Sequence, residues 1–307
     1  MTETTPRFRA AAVASAVASW ALVVVGGIVR ASESGLGCPD WPLCEGRPIP
    51  HDRQTSLIEF SHRATAAFVT CLVVLVAVMA WRRYHDRRDI LVPALVALGF
   101  VPFQALLGAI VVWLELPGWI VGVHFVVGMV FVAATVAAAA AAFRGPSIVA
   151  TSGFAALARW ALAAAFALVV AGAIVVAAHA DDACGKEWPL CNGSFASGGG
   201  DAAAQVVHRL LAYTVAALAL ALAVQAWRGR GPRLMGTLPL LAVLTQMAFG
   251  VSLVLVGESS AHGPLAVLHV SGAGAVWALL VALAVLAVPS PQVEQPARAI
   301  VTPARAH

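Results

Sequence analysis

Four histidines in this chain stand in two matched pairs, and paired imidazoles are metal-ligand chemistry. His62 and His124 form the first pair and His208 and His269 the second, with offsets of 146 and 145 residues between equivalents. The flanking residues shift with them. Cys38-Pro39-Asp40-Trp41-Pro42-Leu43-Cys44 returns as Cys184-Gly185-Lys186-Glu187-Trp188-Pro189-Leu190-Cys191, and Gln104-x3-Gly108 returns as Gln246-x3-Gly250. Two neutral imidazoles on facing helices suit axial ligation of a haem iron, a cofactor that helical bundles hold. Copper or zinc would be left undercoordinated by two nitrogens per half, and the chain has only 5 methionines. A single histidine in an apolar helix can equally well do no more than hydrogen-bond a neighbouring helix. Repetition at four positions favours ligation, because ionisable groups in a bilayer are costly and mark function. His51, His85, His179 and His307 lie in loops or the tail without repeat partners, and His262, though close to His269, is also unmatched.

The cysteines and one carboxylate add further chemistry. Cys38 with Cys44, and Cys184 with Cys191, are spaced to close small disulfide loops around a Trp-Pro pair. A structural staple and a redox pair are both open at this point. The staple is favoured because nothing nearby in the sequence activates a thiolate. Cys71, inside an apolar run, is expected to be a small core residue. The halves differ at one telling position: Glu59-x2-His62-Arg63 becomes Gln205-x2-His208-Arg209. On a helix, positions i and i+3 share a face, so Glu59 stands beside His62. A carboxylate there can take a proton or stabilise a developing cation, and an amide can do neither. Reaction chemistry is therefore assigned to the first half and a bound redox or structural haem to the second. The competing expectation is that Glu59 only pairs with Arg63 or Arg30 at the membrane surface.

The elements that position these residues follow from composition. Hydrophobic residues make up 61% of the 307 residues and charged residues 11%, with a mean hydropathy of +0.87. This is the composition of an integral membrane protein, not of a soluble domain. Eight runs reach the roughly 20 residues that a helix needs to cross a bilayer, at about 10–29, 62–81, 90–113, 119–143, 156–178, 205–227, 234–256 and 264–288. They lack the alternation of a membrane barrel, so the fold class is all-α, eight transmembrane helices as two tandem four-helix bundles related by internal duplication. Residues 1–148 form the N-terminal half, 149–290 the C-terminal half and 291–307 a disordered tail rich in Pro, Ala and Gln.

Arginines set the expected orientation. Arg7, Arg9, Arg82, Arg83, Arg87, Arg88, Arg144, Arg159, Arg228, Arg230, Arg233, Arg298 and Arg305 fall in five regions that must share one side. By the positive-inside bias that side is the cytoplasm, with both termini there and residues 31–61 and 179–204 outside. The +4 net charge reflects this bias and calls for no nucleic-acid partner. The first apolar run is long for a signal peptide, so it is expected to remain as a helix. Each histidine is expected within the first few residues of helices two, four, six and eight, towards the outer leaflet.

Taken together, Gly26-Gly27-Ile28-Val29-Arg30, Ser34-Gly35-Leu36-Gly37-Cys38-Pro39-Asp40-Trp41-Pro42-Leu43-Cys44, Glu59-x2-His62-Arg63 and His124 resemble the haem A synthase family of the CtaA type, from the first helix to the eighth. The resemblance implies conversion of haem O to haem A by oxidation of a porphyrin methyl to a formyl group. It implies a haem b held by His208 and His269, a substrate haem framed by His62 and His124, and Glu59 as the essential acid. Loop-one cysteines at Cys38 and Cys44 are linked in that family to activity or haem transfer, whereas a second pair is not universal there. Arg30, Arg63 and Arg209 are candidates to pair with haem propionates. A haem O synthase, oxidase assembly factors and a second copy of the chain are the candidate protein partners, within the lipid bilayer of the cell membrane. Two alternatives come from other classes. A b-type cytochrome that only carries electrons would leave the Glu59/Gln205 difference without purpose, and a membrane thiol oxidoreductase would leave the histidines without one. A transporter is disfavoured, because four helices per half give repeats of the same orientation.

Overall fold

The computed structural model describes residues 3–50, 53–144, 150–194, 199–257 and 262–288; the expected tail and His51 lie outside them. Eight helices carry the chain: α1 (Pro6–Ala31), α2 (Gln54–Arg83), α3 (Arg88–Trp113), α4 (Gly118–Ala142), α5 (Ser152–Ala177), α6 (Gly200–Trp227), α7 (Arg233–Val256) and α8 (Pro264–Leu286). All eight are long and apolar enough to span a membrane, and no named strand occurs among the described residues. The protein is an all-α, multi-pass membrane protein. Backbone polar groups have no water to bond in hydrocarbon, and the helix satisfies them internally.

Local sequence explains several helix ends. Thr5 caps α1 by accepting the Phe8 N–H, with Pro6 in the first turn where its missing N–H costs nothing. Thr151 repeats this for α5 through the Phe154 N–H at 3.1 Å. Two boundaries differ from expectation. α2 begins at Gln54 and α6 at Gly200, about two turns and one turn before the apolar runs at 62 and 205. Those turns carry Gln54, Thr55, Ser56 and Glu59 in α2 and Asp201 in α6, which are polar enough to escape a hydropathy count yet fully compatible with helix. His62 and His208 consequently sit about 12 Å along their helices, not in the first few residues.

The helices contact one another as two rings. α1 packs on α2, α2 on α3, α3 on α4 and α4 on α1; α5 to α8 close in the same way. The rings join side by side through α1·α8, α4·α8 and α4·α5. Two indoles tie this seam: Trp20 Nε1 donates to the Ser271 carbonyl at 3.0 Å, and Trp277 Nε1 to the Met129 carbonyl at 2.7 Å. Buried hydrophobic side chains fill the end of each ring remote from the cysteine loops. Phe8, Val76, Tyr84 and Ile90 do so in the first, and Phe154, Val215, Leu222 and Leu280 in the second. Exposed Trp81 and Trp227 mark that end and Trp113 and Trp119 the other, matching the indole belts of membrane interfaces. Cys71 faces outward on α2, contrary to its expected core role. Its register places it on the lipid side, between buried Val69 and Val73.

Candidate functional site: two histidine pairs on glycine shelves

All four histidines lie between the hydrophobic core and the cysteine loops. Each ring rests against a glycine of the preceding helix. A Cβ built on Gly26 of α1 would stand 3.1 Å from His62 Cε1, and one on Gly172 of α5 would stand 3.1 Å from His208 Cε1. On α3 and α7, Gly108 and Gly250 meet Cε1 of His124 and His269 at 3.5 and 3.0 Å. At Gly26, Gly172 and Gly250 even a Cβ would crowd the imidazole, whereas at Gly108 it would meet the ring at ordinary contact distance. Within the second half the His208 and His269 rings meet edge-on, 6.5 Å apart between centroids and inclined by 64°. In the first half His62 lies within electrostatic range of His124. Nδ1 of His62 and of His124 is buried without a partner, unusual for a native interior, while His208 has the Leu168 backbone carbonyl within reach. No cluster of three or more His, Cys, Asp or Glu side chains suited to a bare metal ion occurs among the described residues.

Above the histidines sit the two disulfide loops. Cys38 is joined to Cys44 and Cys184 to Cys191, with Cα atoms 4.6 Å apart in each case. Each loop ends in a tight two-residue hairpin turn. Cys44 and Arg47 exchange backbone bonds around Glu45 and Gly46 (φ 55° and 72°), as Cys191 and Ser194 do around Asn192 and Gly193 (φ 52° and 76°). The Asp40 carboxylate accepts both turn N–H groups, Glu45 at 2.6 Å and Gly46 at 2.7 Å, and Glu187 accepts Gly193 N–H at 2.8 Å. The Trp41–Pro42 and Trp188–Pro189 peptides are cis. These features escaped the sequence reading, although Glu45-Gly46 and Asn192-Gly193 are recognisable turn dipeptides.

The Gly46 N–H, followed by that of Glu45, holds the Asp40 carboxyl below the usual carboxylate range. A carboxyl whose pKa is depressed in the folded protein contributes stability above its unfolded pKa and loses it as the pH falls through the folded one. Protection of the Glu45 and Gly46 amides against exchange is therefore expected to be full at neutral pH and to fail only below the ordinary Asp range. Protection unchanged in Asp40→Ala would contradict this.

Arg63 and Arg209 brace the loops from below. Arg63 Nη1 donates to the Asp40 and Leu43 carbonyls at 2.9 and 2.7 Å, and Nη2 to the Cys38 carbonyl at 3.1 Å and Glu59 Oε1 at 2.5 Å. Arg209 Nη1 reaches the Glu187 and Leu190 carbonyls at 3.1 and 2.6 Å. Glu59 is buried, with Oε2 accepting the Cys38 N–H at 2.7 Å. At the equivalent position Gln205 Nε2 donates to the Asp181 carbonyl at 3.0 Å. The acid-to-amide difference thus matches a backbone donor in one loop and a backbone acceptor in the other. Arg30 ends α1 within electrostatic range of Asp181, and His262 approaches Glu33 at 3.4 Å.

Comparison with known proteins agrees with this arrangement. The chain matches COX15-CtaA, described as cytochrome oxidase assembly protein, over residues 9–57 and 52–281. It is 37% identical over 106 residues to a protein of Halalkalibacterium halodurans named heme A synthase, covering 34% of this chain and 36% of that protein. A Bacillus cereus protein of the same name is 36% identical over 108 residues, 34% of each chain. The matched stretch spans about a third of the length of these curated relatives. The family match alone runs from the first helix into the eighth, through both histidine pairs and both disulfide loops, and by that extent the chain belongs to the COX15-CtaA family of cytochrome oxidase assembly proteins.

Proposed function

We propose that the protein is a haem A synthase, an oxidoreductase that converts a methyl group of haem O into the formyl group of haem A for terminal oxidases. The observation that carries this reading is the opposed pair His208 and His269. The two rings stand 6.5 Å apart between centroids, near enough for both to serve as ligands of one haem iron. Two ligands per half are too few for a bare ion and suit iron already held in a macrocycle. The glycine shelves supply space on α1, α3, α5 and α7. His208 and His269 would hold a haem b, which supplies a one-electron redox centre. His62 and His124 would frame the substrate haem.

This chain's residues account for the rest. Glu59 lies one turn before His62 on α2 and is the buried acid nearest in sequence to that site. With water as the oxygen source, taking the methyl to an alcohol and then to an aldehyde gives up two electrons and two protons at each step, the electrons going to an external oxidant. Glu59 would accept the protons or stabilise positive charge developing beside the ring. Arg63 commits four donor contacts to its loop and Glu59, so we assign it to holding the loop over the site. Arg209 keeps Nε and Nη2 outside its two loop bonds, and with Arg30 it remains the candidate for a propionate. Both disulfides are read as staples of the site's roof. The matched contacts in the two halves support an origin by duplication. The arginine bias supports the cell membrane, with termini cytoplasmic and cysteine loops outside.

Extraction and chromatography of the porphyrins that co-purify with the intact protein test the proposal. Haem b together with hydroxylated or formylated haem is expected, and His62→Ala should lose the latter two while keeping haem b. A preparation holding haem b alone in a host that makes haem O would support the electron-carrier reading instead.

A further inference from the structure

The α4 and α8 histidines are held differently from those on α2 and α6, through an interlock between antiparallel helices. On the α7–α8 pair, His269 lies in the notch at Gly250, and the Gln246 amide lies in the notch at Gly272. Gln246 is one turn from Gly250 on α7, and Gly272 one turn from His269 on α8. Gln104 with Gly108, and His124 with Gly128, repeat the arrangement on α3 and α4. The two amides reach different distances. Gln246 Nε2 lies 2.8 Å from the His269 carbonyl and 3.0 Å from His269 Nδ1. Gln104 Nε2 reaches only the His124 carbonyl, at 3.2 Å, and His124 Nδ1 has no partner.

From this difference we infer that Gln246 is the positioning residue of His269, setting the rotation and tautomer of its ring and so the retention and potential of the group that ring holds. The inference rests on the haem reading of the His208–His269 pair. An imidazole that ligates through one nitrogen keeps its hydrogen on the other, and the acceptor of that hydrogen fixes the ring and raises its basicity. The amide presents Nε2, a donor, to both Nδ1 and the carbonyl, and exchanging its two ends would set Oε1, buried without a partner, against Nδ1 as the acceptor. A more basic axial ligand favours ferric iron and lowers the potential. His124, lacking such a partner, is the looser ligand, as suits a group that must enter and leave.

Full-length protein carrying its co-purified haem provides the test, by optical redox titration and by haem transfer to excess apomyoglobin. Gln246→Leu is expected to lose haem about 10- to 100-fold more readily and to shift its midpoint potential upward. Gln246→Glu, near-isosteric and an obligate acceptor, should shift the potential downward, and Gln104→Leu should leave that haem's potential in place. Shifts of the same sign in Gln246→Leu and Gln246→Glu, or none in either, would overturn the inference. A wild-type spectrum without bis-imidazole haem would instead remove the reading beneath it, and the two failures are thereby distinguishable.

Discussion

Glu59→Gln is expected to leave haem bound while reducing formylated product by about 10²- to 10⁴-fold, the usual contribution of a positioned acid or base. The amide is nearly isosteric, so the glycine shelves and both histidines of the first half keep their surroundings. One amide oxygen can still accept the Cys38 N–H, now at 2.7 Å, but its NH₂ would then face the Arg63 guanidinium, donor against donor. Proton uptake is lost together with the ion pair. Arg63→Met separates these effects, because it breaks the pair and leaves the carboxylate. Product in Arg63→Met well above that in Glu59→Gln would place the chemistry on the carboxylate, whereas equal loss would reduce Glu59 to a partner of Arg63. The reciprocal Gln205→Glu sets a carboxylate against the Asp181 carbonyl, 3.0 Å from the present amide, and should weaken the second loop without adding activity. Loss of such a partly buried hydrogen bond costs about 0.5–1.5 kcal/mol. Wild-type haem A yield in Glu59→Gln would end the assignment.

The second large effect concerns the shelves. Gly172→Leu is expected to remove the resident haem spectrum, and Gly26→Leu to retain it while abolishing product. In both cases the new Cβ alone stands 3.1 Å from a histidine Cε1, and the remaining side-chain carbons claim the ring's own volume. Backbone cannot retreat, since α1 and α5 are fixed by α2 and α6 on one side and by α8 on the other. Overpacking of this kind costs about 1–3 kcal/mol, roughly 5- to 150-fold in a binding constant. Gly99→Leu is the control: nothing lies within 4 Å of a Cβ there, so haem content should not change. Equal haem loss in Gly99→Leu and Gly172→Leu would show that the shelves have no special role.

What could be read from the sequence alone were properties that depend on near neighbours along the chain. Eight apolar runs sufficed for an all-α membrane protein, because hydrocarbon leaves the backbone no alternative to the helix. The cysteine spacings sufficed for disulfide pairing, and the offset of 146 residues for the equivalence of His62 with His208. Helix starts were less legible: hydropathy marks where lipid begins, and α2 extends about two turns beyond that limit. Tertiary structure alone decided which side chains meet. It turned Cys71 outward, set Arg63 under the first disulfide loop, and gave Gly26, Gly108, Gly172 and Gly250 their role as seats for imidazoles on another helix. A glycine's missing side chain carries no mark of what fills the space, because the occupant comes from a neighbouring helix whose rotation is set by packing around the whole ring.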